Sequence, residues 1–375
     1  MNIIELSFSK AWGGLEIYVG VFAKEFAKRG HKVIGVVLPN SKLEAEFKNN
    51  SIEYIALKPK LKYLDFITAK KINSFIGEPN FGIIHVHESH NLSTAILLCK
   101  HLKFSKIVFT QHMDSRYNKN DLFHKWIYSN LCQVIAITDS MKINHINHTP
   151  VQDSQISVIY NGIDLNRFSA KNIIDKKYFL LQNNIPSDKI IIGTVGRLDS
   201  LKNQELLIDA AAILINDKKY NLHFIIVGDE TDSITGKGYQ KKLISKINSY
   251  GIENHFSFFG FTDKIEKYLG VMDIFVLPTD KESFGFVLIE AMALGKPVLA
   301  SNQGGPTEII IDNKNGYLFE PKNAIDLSQK LEPLINDSDL RLFMGEDSKR
   351  IARSKFDVNV TIEKYLSLFK TLLNN

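Results

Sequence analysis

The 375-residue sequence predicts an α/β protein made of two doubly wound lobes. Short β-branched runs alternate with helical patterns along the chain, which is typical of parallel sheets covered by helices on both faces. The alternation pauses at a polar stretch and starts again near residue 190, and the length suits two domains of roughly 150 residues. Both lobes are therefore expected to be Rossmann-like, with a ligand-binding cleft between the carboxyl ends of their sheets.

The first lobe is predicted over residues 1–168. Its strands are expected at 3–8, 33–38, 52–57, 82–86, 106–110, 134–138 and 156–159. Helices fill the gaps between the strands. The helix predicted at 18–29, for example, ends before Gly30, a residue type that commonly follows a helix.

The second lobe is predicted over residues 169–356, after a boundary region near 165–188. Its strands are expected at 190–195, 223–227, 256–259, 274–277, 297–300 and 316–319. A final helix at about 357–375 has too many apolar residues for a free tail, so it must dock on another surface. Those residues are Val360, Ile362, Tyr365, Leu366, Leu368, Phe369 and Leu372.

The composition excludes several classes of protein. An apolar content of 44% rules out a disordered chain, and no apolar run approaches the roughly 18 residues that span a bilayer. Cys99 and Cys132 are the only cysteines, which suits a reducing cytoplasm and rules out a cysteine-built metal site. The first residues lack the pattern of a signal peptide. A cytoplasmic protein is therefore predicted.

The basic excess lies in the first lobe. Residues 1–168 carry 20 Lys and Arg against 14 Asp and Glu, whereas the remainder carries 26 against 27. A basic face for an anionic membrane or an acidic ligand explains this asymmetry, and unevenly spread solubilising lysines explain it equally well. No recognised module supports nucleic-acid binding.

Segment 57–75 interleaves lysines with aromatic residues and is interpreted equally as a surface for anionic lipid or as ordinary amphipathic packing. The residues concerned are Lys58, Lys60, Lys62, Tyr63, Phe66, Lys70, Lys71 and Phe75. Peripheral contact with the inner face of a membrane is thus an open expectation.

In each lobe, a glycine turn follows the first strand. Gly13 and Gly14 would let the backbone approach a ligand and would open a helix whose first amides face an anion. Any strand-to-helix turn can require glycine, so this pair alone is a weak signal. It also lacks the G-x-G-x-x-G spacing of a dinucleotide site.

The second lobe offers a stronger pattern. The strand at 190–195 leads into Gly196 and Arg197, and Lys202 follows five residues later. These cations suit a diphosphate, since each contact at about 4 Å could contribute about 4 kcal/mol at an effective dielectric near 20. Two solvated loop cations are the alternative interpretation.

Two carboxylates flank the start of a predicted helix. Glu282 precedes the helix, Glu290 is expected two turns into it, and the amides around Phe284 and Gly285 lie between them. Amides at a helix start suit phosphate, and carboxylates accept hydrogen bonds from sugar hydroxyls. A nucleotide sugar fits this pattern, although a capped amphipathic helix with two surface glutamates would show the same spacing.

A second glycine-opened helix start follows the next strand, at Gly304, Gly305 and Glu308. With the glycine turns, the Val227-Gly228-Asp229 strand end and the Glu282…Glu290 pair, it completes an ordered set of motifs. In this order the motifs resemble the retaining GT-B glycosyltransferases of the "glycosyl transferases group 1" family, whose hallmark is E-x7-E. The resemblance spans nearly the whole chain and is strongest from 190 to 320.

The resemblance implies roles for individual residues. Glu290 would bind the ribose hydroxyls of the donor, and Glu282 the hydroxyls of the transferred sugar. Arg197 and Lys202 would neutralise the diphosphate leaving group, with Gly196 at the same strand end.

Further roles are implied around this core. Amides near Phe284 and Gly285 would assist at the helix start, and the Gly13–Gly14 loop would approach donor phosphate or acceptor. His112 matches a family histidine that contacts the donor sugar; a locally bonded strand-end histidine is the alternative. The final helix would cross back onto the first lobe. Family members often have a short turn after the Val-Gly-Asp strand end, whereas the polar loop 229–238 is longer here. The resemblance therefore does not determine the base of the donor.

The predicted function is metal-independent, retaining transfer of a hexose-type sugar from a UDP- or GDP-sugar to a glycan or lipid-linked acceptor, as in cell-surface polysaccharide or glycolipid synthesis. No cofactor is expected. The first lobe would form the acceptor side and the second the donor side. A GT-B nucleotide-sugar epimerase and a non-catalytic sugar- or nucleotide-binding protein remain as alternatives.

Other metal-like patterns are interpreted structurally. Asp337-Ser338-Asp339 has D-x-D spacing but directly precedes a helical pattern, so a helix N-cap is predicted. His85 and His87 share a strand face, and His145 and His148 could share a helix face. No third ligand is expected beside either pair, and core or surface histidines are predicted.

Overall fold

The computed structural model describes residues 1–77, 82–102, 105–115, 117–169, 171–280 and 282–374. The chain forms two compact units. The first consists of Met1–Asn161 and Asn359–Asn375, and the second of Gly162–Val358. The second unit thus begins at 162, where the sequence analysis set the boundary at 168/169.

The first unit is built on a parallel sheet of seven strands in the order β3-β2-β1-β4-β5-β6-β7. These strands are β1 Asn2–Leu6, β2 Lys32–Val37, β3 Glu53–Ala56, β4 Ile83–Val86, β5 Lys106–Gln111, β6 Gln133–Ala136 and β7 Ile156–Val158. Ile4 pairs with Ile34 on one side and Ile84 on the other, and all three are buried. Continuous burial of this kind is what a sheet covered on both faces requires.

Seven helices, the last of them from the end of the chain, belong to this sheet among the described residues. They are α1 Gly14–Lys28, α2 Lys42–Asn49, α3 Phe66–Ile76, α4 Leu92–Cys99, α5 Leu122–Ser129, α6 Asp139–His148 and α15 Val358–Asn374. Side chains of Ser41, Asp65, Asp121 and Thr138 accept hydrogen bonds from first-turn amides, which fixes four of these helix starts.

Helix α15 packs on α1 through aromatic rings. The Tyr365 ring lies 4.6 Å from the Phe22 ring, and the Phe369 ring lies 5.7 Å from the Phe26 ring, centroid to centroid. All four side chains are buried. The apolar stripe of the last helix is therefore part of the core of the first unit.

The second unit contains a parallel sheet of six strands in the order β10-β9-β8-β11-β12-β13. Its strands are β8 Ile190–Val195, β9 Leu222–Val227, β10 Phe256–Phe259, β11 Ile274–Leu277, β12 Val298–Ser301 and β13 Gly316–Phe319. Two parallel sheets flanked by helices confirm the predicted doubly wound α/β class.

The helices of the second unit are α7 Lys176–Gln182, α8 Gln204–Ala212, α9 Tyr239–Tyr250, α10 Ile265–Val271, α11 Phe286–Ala293, α12 Pro306–Ile309, α13 Ala324–Asn336 and α14 Ser338–Lys355. The Asp337 side chain accepts a hydrogen bond from the Leu340 amide at 2.9 Å and caps α14. The N-cap predicted for Asp337-Ser338-Asp339 is therefore confirmed.

No helix in the described ranges combines the length and apolar character needed to cross a membrane.

Candidate active site

Each sheet has one point at which its strand order changes direction. In the first unit this point lies between β1 and β4, and in the second between β8 and β11. Ligands of open α/β sheets bind outside the carboxyl ends of the strands at such points. In the second unit, Gly196 and Arg197 directly follow β8, and Glu282 lies five residues after β11. The fold therefore brings two of the predicted motifs to the position where a ligand is expected.

Lys202 and Glu282 form an ion pair at this position. The Lys202 Nζ donates to Glu282 Oε2 at 2.6 Å, across 80 residues of sequence. The two side chains are 24% and 19% exposed, so solvent and ligands reach both. The sequence analysis gave these residues separate ligands, whereas the structure joins them directly.

The glycine pair after β12 holds the Glu282 backbone. Gly304 has φ = +70°, and a Cβ there would lie 2.4 Å from the Glu282 carbonyl oxygen. The Gly305 amide donates to that same oxygen at 2.9 Å. Only glycine allows this approach, so the predicted Gly304-Gly305 motif supports the strand-end segment that carries Glu282.

Helix α11 begins at Phe286, after Gly285 with φ = +103°. Glu290 is therefore the fifth residue of the helix, just over one turn in, and the predicted position two turns in is wrong. The Phe284 ring is buried against Phe286 and Phe356, so this residue can offer a ligand only its backbone. The amides of Phe284 and Gly285 donate to no other group among the described residues, and they remain available for an anion.

The Glu290 carboxyl has neither a hydrogen bond nor an ion pair within the described part of the chain. Burial raises the pKa of its carboxyl to about 7; Arg167 acts to lower it and Glu266 to raise it. Arg167 itself donates to Glu266 through Nε at 3.0 Å and Nη2 at 2.9 Å. The sequence analysis did not identify this neighbouring ion pair, because nothing in either residue's local sequence marks it.

Arg197 is exposed, and its guanidinium donates no hydrogen bond to any described residue. Its backbone carbonyl accepts from the Gln204 side chain at 2.9 Å, which fixes the loop. Asp199, two residues on, is buried. Although burial raises the pKa of Asp199, hydrogen bonds from the Leu201 amide and the Thr235 hydroxyl bring it below its usual value.

The polar loop 229–238 is held by hydrogen bonds to the segment that follows β8 and by a hydrogen bond within the loop itself. Thr235 donates to Asp199 at 3.0 Å, and Glu230 accepts from the Gly238 amide at 3.1 Å before α9. The loop is thus anchored beside the carboxyl end of β8.

In the first unit, a side chain of helix α1 already accepts a hydrogen bond from the glycine turn that precedes the helix. The Gly13 amide donates to Glu16 Oε2 at 2.8 Å, so the Glu16 side chain caps the start of α1. The sequence predicts that the first amides of this helix face an anion; the Gly13 amide, just before the helix, is instead bonded to Glu16. Gly14 is the first residue of α1.

His112 is buried beside two histidines and a glutamate. Its Nε2 lies 3.1 Å from His87 Nδ1, and His87 Nε2 lies 2.6 Å from Glu5 Oε2. Glu5 Oε1 lies 3.1 Å from His85 Nδ1. The expectation that no third group stands beside His85 and His87 is wrong, because Glu5 on β1 faces both of them. These three side chains are close enough to share a metal ion.

His145 and His148 differ from that group. His145 is buried and its Nε2 lies 3.1 Å from the Tyr128 hydroxyl, whereas His148 bonds to the backbone carbonyl of Asn144. Both are explained by local packing.

One further group was missed at the first unit's change of strand direction. Glu88 follows β4 and accepts hydrogen bonds from Ser7 at 3.1 Å and Asn91 at 2.8 Å. Burial, reinforced by the charge of Glu16, raises the pKa of Glu88 to about 8, although the hydrogen bond from Ser7 acts to lower it. A single glutamate after a strand carries no recognisable spacing, so the sequence alone offered no signal.

Comparison with known proteins identifies the family to which this fold and these motifs belong. Residues 176–351 match the family described as glycosyl transferases group 1, and residues 12–167 match glycosyltransferase family 4. Together these matches cover most of the chain. The protein belongs to the GT-B glycosyltransferases of group 1.

Among relatives, the capsular polysaccharide biosynthesis glycosyltransferase CapM of Staphylococcus aureus is 30% identical over 246 residues, 64% of this chain and 62% of CapM. The N-acetyl-alpha-D-glucosaminyl L-malate synthase of Bacillus anthracis is 24% identical over 97% of this chain and 95% of that protein. Anabaena HepE, solved with UDP, has a TM-score of 0.85 at 22% identity, covering 99% of this chain and 100% of HepE. HepE has also been solved with UDP-glucose.

Proposed function

We propose that this protein moves a hexose-type sugar from a nucleoside-diphosphate sugar to a hydroxyl of a glycan or lipid-linked acceptor, with retention at the anomeric carbon. The observation that carries the proposal is the Lys202–Glu282 pair beside the unbonded amides of Phe284 and Gly285. One group of cations and amides suits phosphate, and an acid directly beside it suits sugar hydroxyls.

Different side chains of the second unit bind different parts of the donor in this proposal. Lys202 has three N–H donors, so it can contact the diphosphate while Glu282 still accepts from one of them. Arg197 contacts the same diphosphate with its unengaged guanidinium. Glu290, whose carboxyl has no partner in the part of the chain that the structure describes, accepts from the ribose hydroxyls. Gly196 keeps the strand end open for close approach.

The chemistry follows from where charge develops. The bond between the anomeric carbon and the phosphate oxygen breaks while the acceptor oxygen bonds to the same face of that carbon. The acceptor's hydroxyl proton passes to the departing phosphate oxygen. Lys202 and Arg197 stabilise the leaving group's negative charge, a type of interaction whose loss typically lowers kcat about 100- to 1000-fold. These side chains supply the positive charge directly, and we propose that the reaction uses no metal and no cofactor.

We assign the acceptor side to the first unit. Glu88, Gly14 and His112 lie at or near the carboxyl ends of its strands. In this proposal His112 contacts the transferred sugar, and the glycine turn leaves room for donor phosphate or acceptor.

The donor base is proposed to be uracil or guanine, with UDP supported by the complexes of HepE. A thermal-shift screen over UDP-, GDP- and ADP-sugars tests this, because a ligand at 100 times its Kd stabilises the folded state by about 2.7 kcal/mol. A shift with the ADP-sugar alone would contradict the assignment.

Turnover tests the site itself. Lys202→Ala and Glu282→Ala are each expected to lower kcat at least about 100-fold in an assay that follows nucleoside-diphosphate release. Lys242→Ala is the matched control, because Lys242 pairs with Glu205 on the surface of the same unit. Unchanged turnover in either site variant contradicts the proposal. Release that does not depend on an added acceptor alcohol would point to epimerisation or hydrolysis instead.

We also propose that the first unit contacts an anionic membrane through a basic-aromatic surface, defined as residues 57–75. Its helix α3 begins at Phe66, after the Asp65 cap. Phe66 is 62% exposed and Leu61 57% exposed, and the five lysines of the segment are exposed around them. Exposed apolar side chains bordered by lysines suit the boundary between anionic head groups and acyl chains.

Replacing Lys58, Lys60 and Lys62 with Gln is expected to weaken co-sedimentation with vesicles containing phosphatidylserine, by about 1 kcal/mol for each lysine. The control replaces Lys42, Lys48 and Lys125, which are exposed elsewhere on the first unit. Equal binding by the two triple variants would remove the membrane proposal.

A further inference from the structure

A line of buried polar side chains crosses the first sheet. The side chains concerned are each at most 8% exposed: Glu5 on β1, His85 on β4, His87 directly after β4, Thr110 on β5 and His112 directly after β5. Glu5 is in register with His85. We call these five residues the histidine chain. Aromatic rings of α1 and α15 cover it, with Phe22 5.2 Å from His85 and 5.8 Å from His87.

The histidine chain has two branches that meet at Glu5. One branch runs from Glu5 Oε2 to His87 Nε2 at 2.6 Å and from His87 Nδ1 to His112 Nε2 at 3.1 Å. The other runs from Glu5 Oε1 to His85 Nδ1 at 3.1 Å and from His85 Nε2 to Thr110 Oγ1 at 2.7 Å. Thr110 Oγ1 then lies 3.1 Å from the Tyr365 hydroxyl.

Counting protons along the branches gives two arrangements in which every bond has a donor and an acceptor, one with Glu5 ionised and one with Glu5 protonated on Oε2. Burial raises the pKa of Glu5, while the hydrogen bond and the charge of His87 act to lower it. Burial lowers the pKa of His85, His87 and His112 to about 3, so the rings are neutral and each carries one N–H. In the ionised arrangement the Glu5 carboxylate only accepts, so His87 must carry its proton on Nε2. His87 Nδ1 is then bare and accepts from His112, whose proton must be on Nε2.

The second branch is satisfied in the same state. His85 donates from Nδ1 to Glu5, its bare Nε2 accepts from the Thr110 hydroxyl, and Thr110 accepts from Tyr365. A proton on Glu5 Oε2 would reverse the first branch and move the His112 proton to Nδ1. The chain is therefore a device that couples the state of Glu5 to the proton position on His112.

We infer that Glu5, ionised and accepting from a histidine ring at each of its two oxygens, and His87 are positioning residues that fix His112 as the tautomer with the proton on Nε2. His112 Nδ1 then carries a lone pair, and His112 acts as a hydrogen-bond acceptor for a sugar hydroxyl. The inference deepens the proposed function, on which the role of His112 rests. A second positioned acceptor of this kind selects donor sugars that carry a hydroxyl where Nδ1 reaches them.

A metal ion held by Glu5, His85 and His87 is the competing explanation. The ligand atoms lie within 4.8 Å of one another. In the structure, however, each of those atoms already has a hydrogen-bond partner inside the chain.

The test is nitrogen NMR on the full chain with ¹⁵N-labelled histidine, in which protonated and bare ring nitrogens give separate signals. The His112→Gln variant assigns the His112 signals. The expected result is a bare Nδ1 and a protonated Nε2 in the unaltered protein. A protonated Nδ1 overturns the inference, and so does about one zinc ion per purified chain whose removal by a chelator changes these signals.

Two variants separate the branches. His87→Phe removes the acceptor for His112 Nε2, so mixed tautomer signals are expected with about a tenfold fall in kcat. Thr110→Val breaks only the other branch; it should lower the unfolding temperature while leaving the His112 signals and kcat near those of the unaltered protein. Unchanged His112 signals in His87→Phe overturn the inference. Full activity of His112→Gln overturns its role in transfer, and the unaltered protein's spectrum tests the tautomer separately.

Discussion

The two units treat their polar groups in opposite ways at corresponding points of the same fold. In the second unit, the Arg197 guanidinium and the Glu290 carboxyl have no hydrogen-bond partner among the described residues, and the Lys202–Glu282 pair is partly exposed. In the first, Glu5, His87 and His112 are buried and bonded to one another. One site keeps its hydrogen-bonding capacity for a ligand, whereas the other uses it to hold a single ring in place.

The difference has an energetic consequence. A buried donor that loses its acceptor costs about 1–3 kcal/mol, whereas a partly exposed ion pair is worth about 1 kcal/mol or less. The same type of substitution should therefore affect stability in the first unit and function in the second.

Glu5→Ala is expected to give the largest loss of stability, about 3–5 kcal/mol in urea unfolding. The change leaves a cavity and orphans the N–H groups of two buried histidines. Glu282→Ala is the matched removal of a carboxylate from the second unit and should cost about 1 kcal/mol while abolishing turnover. Equal losses of stability would show that the two sites do not differ as described.

Gly304→Ala is expected to give the next largest loss of stability. The new methyl group would meet the Glu282 carbonyl oxygen at 2.4 Å, so the segment carrying Glu282 must shift. The expected loss is about 2–3 kcal/mol of stability together with a rise in donor KM. Gly238→Ala is the control: its φ of +77° is similar, but nothing lies within 4 Å, so only about 1 kcal/mol should be lost and KM should stay constant.

Glu290→Gln is expected to change stability by a similar amount but in the opposite direction. The folded-state pKa of about 7 lies above the reference value of 4.5, so the native carboxyl holds its proton more tightly than the unfolded one. Stability therefore falls as the pH rises from about 4.5 through 7. Glutamine does not ionise, so at pH 8 the variant should be more stable by about 2–3 kcal/mol, with no gain at pH 4.

The same variant should bind the donor more weakly, because the amide is a poorer acceptor for ribose hydroxyls than the carboxylate. Urea unfolding at pH 4 and pH 8, paired with titration of UDP at pH 8, measures both effects. A loss of stability at pH 8 would show that Glu290 has a structural partner instead of serving a ligand.

The sequence predicted the elements well, because alternating apolar runs and glycine turns are local signals. The strands predicted at 190–195 and 256–259 are examples, since β8 and β10 have those bounds. Contacts between distant residues could not be predicted in this way. Lys202 meets Glu282 across 80 residues, and Glu5 meets His85 across the same distance, only because strands far apart in sequence are neighbours in the sheets.

Helix α15 also determines how the polypeptide can be divided. Because residues 359–374 complete the core around Phe22 and Phe26, a fragment ending at Asn161 would expose those rings to water. The amino-terminal half is therefore not an independent piece of the gene: expressing it alone requires fusing or co-expressing the last helix, and a stop codon before residue 359 would damage the part of the protein that is synthesised first.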